Sequence, residues 1–203
     1  LARPGVTTAE LDIAAEKAIA SRGGTPAFFG YKPEGNDYPF PAVLCVSIND
    51  EVVHGIPRED RVLQSGDLVS LDLGLSYKGF FMDSAVTVCV GECDKNAKKL
   101  KAAAEDALMA GIAAARPGNH IGDIGAAVSK VARANNFSVV EELGGHAIGT
   151  ELHEQPFIPN EGEKGQGEEL VVGMLLAIEP MLAEGTPKII LDSGDRWTYR
   201  MKD

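Results

Sequence analysis

Residues 2–20 (ARPGVTTAELDIAAEKAIA) and 115–133 (ARPGNHIGDIGAAVSKVAR) align without a gap. Arg3-Pro4-Gly5 matches Arg116-Pro117-Gly118, Leu11 matches Ile124, Ala14 matches Ala127 and Ala18 matches Val131. Each copy reads as a Pro-Gly breaker followed by an amphipathic helix. Either two amphipathic helices are alike by chance, or the chain is a duplicated α+β unit. Duplication constrains the fold most. Helices then pack outside one shared, curved sheet, and a pseudo-two-fold arrangement brings polar residues from both halves to a central site.

The rest of the chain alternates helices and strands, with no linker or low-complexity tract. Thr7 or Thr8 caps a helix running to about Arg22, which Gly23-Gly24 closes. Residues 24–41 are rich in Gly, Pro and aromatics and read as a surface loop. "AVLCVSINDEVVHGIP" reads as a hairpin turning at Asn49-Asp50. Asp94 starts an Ala-rich helix that Pro117-Gly118 stops, "HIGDIGAAVSKVARANN" is another helix, and the remainder is mostly strands. The chain starts at Leu1 rather than Met and stops at Asp203 inside a strand-and-turn pattern, so it is expected to be a fragment, truncated at both ends.

A net charge of −11 argues against nucleic acid, which needs basic patches to neutralise phosphates. No run is long enough to span a membrane, and no signal-peptide pattern opens the chain. Cys45, Cys89 and Cys93 are an odd number and too thinly spread for a disulfide framework, which fits a reducing cytoplasm.

Residues 68–88 hold the chemistry. Val69, Leu71, Leu73 and Leu75 alternate with Ser70, Asp72, Gly74 and Ser76, and a second apolar run opens at Phe80. A turn centred between Tyr77 and Lys78 would set Asp72 and Asp83 directly opposite each other, with Cβ atoms roughly 5 Å apart. Like charges so placed repel. Other polar residues also break apolar patterns: His153 in "GGHAIGTELHEQPFIPN" and Glu179 in "GMLLAIEPML". An apolar run makes a carboxylate costly to bury without a partner. Together, Asp72, Asp83, His153 and Glu179 form an oxygen and nitrogen donor set for one or two divalent cations. A cation between the aspartates would turn their repulsion into attraction.

"VVHGIP", the "LDL…MDS" aspartates, "GHAIG…LHEQP" and "GMLLAIEPML", in this order and spacing, resemble the methionine aminopeptidases of the bacterial type I kind. The resemblance covers nearly the whole chain. It implies the α+β pita-bread fold, two pseudo-symmetric halves with helices outside a curved antiparallel sheet, and one catalytic domain over residues 1–203. It implies two divalent metal ions (Co, Mn, Fe or Zn) held by Asp83 as the bridging aspartate, Asp72, His153 and Glu179. His54 is implied to touch the substrate near the scissile amide, Asn160 to stand where relatives carry a second active-site histidine, and Cys45, Tyr31, Phe40 and Trp197 to line the methionine pocket. Residues 32–37 read as an insertion beside that pocket. His146 and His120 are expected to be structural. A fifth ligand of the family, a glutamate, is implied to lie beyond Asp203.

The activity so implied is metal-assisted removal of the initiator methionine ahead of a small second residue. The implied partners are nascent peptide N-termini and the ribosome, with a monomeric protein in the cytoplasm. Two alternatives stand beside it: a peptidase of the same fold cleaving Xaa-Pro bonds, and a non-catalytic pita-bread binding module.

Overall fold

A computed structural model describes residues 1–33 and 37–202. Residues 34–36 of the insertion read at 32–37 lie outside the described residues. Two compact units emerge: Leu1–Ala97 with Thr150–Leu152 and Ile190–Arg200, and Lys98–Gly149 with His153–Ile189 and Met201–Asp203.

The first unit opens with α1 (Thr8–Ala20). Thr7 is its N-cap: Glu10 N–H donates to Thr7 Oγ1 (3.1 Å) and Thr7 N–H donates to Glu10 Oε2 (2.7 Å), a reciprocal pair that satisfies two otherwise orphaned donors. Strands β1 (Thr25–Pro26), β2 (Leu44–Ile48), β3 (Glu51–Val53), β4 (Leu68–Tyr77) and β5 (Phe80–Cys89) follow. β4 is central, with β1 and β2 antiparallel to it on one edge and β5 on the other. The stretch at 24–41, expected to be irregular, thus contributes the short edge strand β1. α1 lays Leu11 into a core of Leu44, Val46, Leu63, Val69 and Val90.

The β4–β5 hairpin corrects the expected register. Its loop residues are Lys78 (φ 51°) and Gly79 (φ 86°), and Tyr77 pairs with Phe80. Both left-handed positions are what a two-residue type I′ turn demands, and glycine takes the second one without steric cost. A turn centred earlier would force Tyr77 into that region. Asp72 therefore pairs with Ala85, and Asp83 with Gly74. The aspartates are diagonal neighbours on one face, roughly 7–8 Å apart by backbone spacing, instead of directly opposite.

In the second unit α2 (Lys95–Ala114) and α3 (Ile121–Ala134) precede β6 (Ser138–Val139), β7 (Gly144–Ala147), β8 (Glu154–Pro159), β9 (Leu176–Ala177) and β10 (Leu182–Ala183). β7 lies between β8 and β9, and β10 pairs with β6. A Cβ on Gly145 would stand 2.0 Å from Ala177 O, so only glycine lets β7 approach β9 this closely. Ile121, Ile124, Ile158 and Leu170 form the core, with Met174, Leu176 and Ile178 against it. The last strands, β11 (Ile189–Leu191) and β12 (Tyr199–Met201), lie mostly in the first unit, where β12 runs antiparallel to β3. No helix among the described residues is long and apolar enough to cross a membrane.

The helix repeat extends into the backbone around it. Gly5 N–H donates to Leu63 O and Gly118 N–H to Leu170 O, both at 2.9 Å. Leu63 N–H answers to Val6 O (2.9 Å), and Leu170 N–H to Asn119 O (2.7 Å). Thr7 bridges Val62, and His120 bridges Glu169. Following each bridged segment in step, Gly66 (φ 104°) matches Gly173 (φ 102°), and Asp72 then falls on Glu179. Separately, "VVHGIP" (52–57) and "ELHEQP" (151–156) carry a histidine and a proline at the same two places, so that His54 answers to His153.

Candidate metal centre

The first unit holds one pair of carboxylates. The ten-residue ladder of β4 and β5 fixes Asp72 and Asp83 on a common face. On the other side of β4, Cys45 is the register partner of Asp72. Cys45 is buried, and its thiol is pushed well above the ordinary range by that burial and then by the charges of Asp72, Asp83 and Asp12. The thiol therefore shares the aspartates' surroundings and stays protonated.

His54 follows β3 in a left-handed conformation (φ 58°), uncommon for a residue with a side chain. Its ring meets Trp197 and Tyr199 edge-on, at centroid distances of 5.9 and 6.0 Å. Thr198 Oγ1 donates to His54 O at 3.3 Å. Phe40 packs on Trp197 (5.2 Å) and on Phe28 (6.5 Å), both T-shaped, and Phe40 and Trp197 are buried. The His54 backbone also hydrogen-bonds the Cys45 thiol. Tyr31 N–H donates to Phe28 O, and burial raises the Tyr31 phenol above its ordinary pKa. Asp72, Cys45, His54, Trp197 and Phe40 thus form one continuous run of contacts within this unit.

The second unit holds a different pair. Glu179 was expected beside His153, but the imidazole that faces it is that of His146. His146 Nε2 lies 3.2 Å from Glu179 Oε1, an approach without hydrogen-bond alignment, since Oε1 is buried with no hydrogen-bond partner. A carbonyl only accepts, so the 2.9 Å contact of His146 Nδ1 with Ala147 O places the proton on Nδ1. Nε2, the other ring nitrogen, is then the one turned toward the Glu179 carboxylate. A metal-binding histidine commonly donates its other N–H in this way. The His153 ring meets His146 edge-on, with centroids 4.3 Å apart and planes at 62°. His120 is the N-cap of α3.

Asn160 is buried, and its Nδ2 donates to Glu179 O (2.8 Å) and Leu143 O (3.4 Å). It braces the Glu179 backbone. The sequence reading missed His146. Its signal was Gly145, which packs the strand carrying His146 tightly against the strand preceding Glu179. Among the described residues no group of three or more His, Cys, Asp and Glu is drawn together as a metal-holding cluster, so each unit offers a pair.

Helices and antiparallel sheets in each unit, with a carboxylate pair in one and a histidine–carboxylate pair in the other, fit the class of metal-dependent hydrolases with the pita-bread fold. The sequence pattern of metallopeptidase family M24 matches residues 1–201. The chain belongs to that family, whose members use divalent metal. It is 44% identical over 205 residues to the methionine aminopeptidase of Aquifex aeolicus, covering 99% of this chain and 78% of the relative. The crystal structure of methionine aminopeptidase from Rickettsia prowazekii superposes with a TM-score of 0.94 at 37% identity, covering 99% of this chain and 78% of that one. The Xaa-Pro dipeptidase from Bacillus anthracis is more distant, with a TM-score of 0.70, 26% identity, and coverage of 88% of this chain and 46% of its own.

Proposed function

We propose that this chain removes N-terminal methionine from nascent peptides by metal-dependent hydrolysis. The observation that carries the reading is the run from Asp72 through Cys45 and His54 to Trp197 and Phe40, an apolar aromatic wall reached directly from a carboxylate pair. Recognition of an apolar side chain thus sits beside the groups suited to hydrolysis. Residues 1–203 are read as one catalytic domain.

Asp72 and Asp83, with His146 and Glu179, are the residues proposed to hold two divalent ions. Co, Mn, Fe and Zn all accept such oxygen and nitrogen donors. Bound metal supplies Lewis acidity toward the scissile carbonyl and a water activated at neutral pH. The protein's own groups do the rest. Cys45, kept protonated, and Tyr31, Phe40 and Trp197 receive the methionine side chain and exclude water. His54 hydrogen-bonds the substrate near the reacting amide, with its ring fixed by Trp197 and Tyr199. His153, expected at the metal from the sequence, meets His146 edge-on and serves as a second imidazole for the substrate. The negative net charge favours approach of a free ammonium terminus.

The test is steady-state hydrolysis of Met-Ala-Ser and of an Xaa-Pro dipeptide, after chelation and after re-addition of each metal. Metal-restored cleavage of Met-Ala-Ser with the Xaa-Pro peptide left intact supports the reading. Preferred cleavage of the Xaa-Pro bond would replace it with the proline-directed alternative, and metal binding without any hydrolysis would replace it with the binding module.

A further inference from the structure

The wall formed by Phe40 and Trp197 comes from two segments far apart in the chain. The loop leading to Phe40 is closed at its base, where Gly30 N–H donates to Phe40 O and Phe40 N–H donates to Tyr31 O, both at 2.8 Å. The segment leading to Trp197 is a tight turn with its own bonds. Arg196 N–H donates to Asp192 O (2.8 Å), and Asp195 Oδ1 accepts from Trp197 N–H and Thr198 N–H (2.8 Å each). The base of the loop and the turn are therefore each held by bonds of their own, and the position of the wall depends on what joins them.

Beyond the wall, Tyr38 and Arg196 make that join. Arg196 Nη1 donates to Tyr38 Oη at 2.6 Å, and the guanidinium lies over the Tyr38 ring, 4.6 Å from its centroid. Arg196 adopts φ 62°, a left-handed conformation that a bulky side chain rarely takes. That conformation aims the guanidinium at the loop while the next residue, Trp197, turns inward. The indole is buried, with its Nε1 lacking a hydrogen-bond partner. A buried N–H without a partner favours the displaced state, where water can reach it. Something must oppose that displacement.

We propose that Tyr38 and Arg196 are positioning residues, a latch that fixes the Phe40–Trp197 wall and so sets which apolar side chain the socket accepts. The proposal rests on the reading of that wall as the methionine socket. With the latch intact, the socket suits a slender, unbranched side chain. With it open, the loop end at Tyr38 swings, the wall widens, and discrimination against branched or larger side chains falls.

Trp197 is the single tryptophan of the chain, so its emission reports the wall directly. Tyr38→Ala and Arg196→Gln should increase acrylamide quenching of Trp197 and raise KM for Met-Ala-Ser about two- to fivefold, the range of a cation–π contact at an exposed site. kcat and metal content should stay at the wild-type level. Tyr38→Phe, which keeps the ring and loses the hydroxyl, should fall between wild type and Tyr38→Ala, and Arg196→Lys should restore part of the loss. Wild-type quenching and wild-type KM in both Tyr38→Ala and Arg196→Gln would overturn the latch. Wild-type protein that leaves Met-Ala-Ser uncut would sink the socket reading instead, and the fluorescence measurement alone would then decide the latch.

Discussion

The two units start alike and finish differently. Each unit carries a glycine at φ 88° that leads into a capped helix, with the same pair of backbone hydrogen bonds to a leucine. Both then reach a carboxylate in step, Asp72 in one and Glu179 in the other. Asp72 sits inside a ten-residue strand paired on both edges. Glu179 lies beyond the two-residue β9, ahead of Pro180, and is held by side chains: Asn160 on its backbone carbonyl and His146 at its carboxylate. A ladder fixes one carboxylate, while tertiary contacts fix the other. The matched backbone therefore supports its two carboxylates in different ways.

The matched histidines give the largest expected effect. His54→Ala should retain metal and lose about two to four orders of magnitude in turnover, as for a lost acid–base or oxyanion contact. Calorimetric metal titration alongside steady-state kinetics reads both quantities. Loss of metal in this variant would make His54 a ligand and break the correspondence with His153.

Next comes the brace that the second unit alone requires. Asn160→Ala removes a buried donor shared by Glu179 O and Leu143 O, and should cost about 1–3 kcal/mol by urea denaturation. It should also weaken metal binding through Glu179. The first unit has no corresponding weak point, because the Asp72 backbone is secured by its strand neighbours. Unchanged stability and metal affinity in Asn160→Ala would remove the contrast between ladder and brace.

How far the sequence reached follows the same division. The helix repeat, Thr7 as a cap and the β4–β5 hairpin were legible because periodicity and capping chemistry are local. The hairpin register was missed by one step, since it depends on which residues accept positive φ, and Lys78-Gly79 do so where Tyr77 would not. In the second unit, short strands left little alternation to read. Nothing local distinguishes His146 from His153, because the choice is made by Glu179, far along the chain. Asn160 likewise shows its role only through Glu179 O and Leu143 O.

The smallest expected effect compares the helix starts. Thr7→Ala should destabilise by about 1 kcal/mol, because it removes one arm of a reciprocal cap. The His120 side chain makes no cap bond; Asp123 Oδ2 accepts the His120 N–H at 2.8 Å instead. His120→Ala should therefore cost no more than a few tenths of a kcal/mol, the scale of surface changes that touch no special feature. Thermal melts of the two variants decide it, and equal losses would mean that the matched helices are capped alike.

The central claim is that the second unit presents metal through His146 and Glu179, with His153 turned to the substrate. Isothermal titration of Mn²⁺ or Co²⁺ into His146→Ala and His153→Ala, beside wild type, tests it most directly. The account predicts that His146→Ala loses the metal affinity contributed by this unit, whereas His153→Ala binds metal as wild type does and fails only in turnover. Metal retained by His146→Ala and lost by His153→Ala would contradict it.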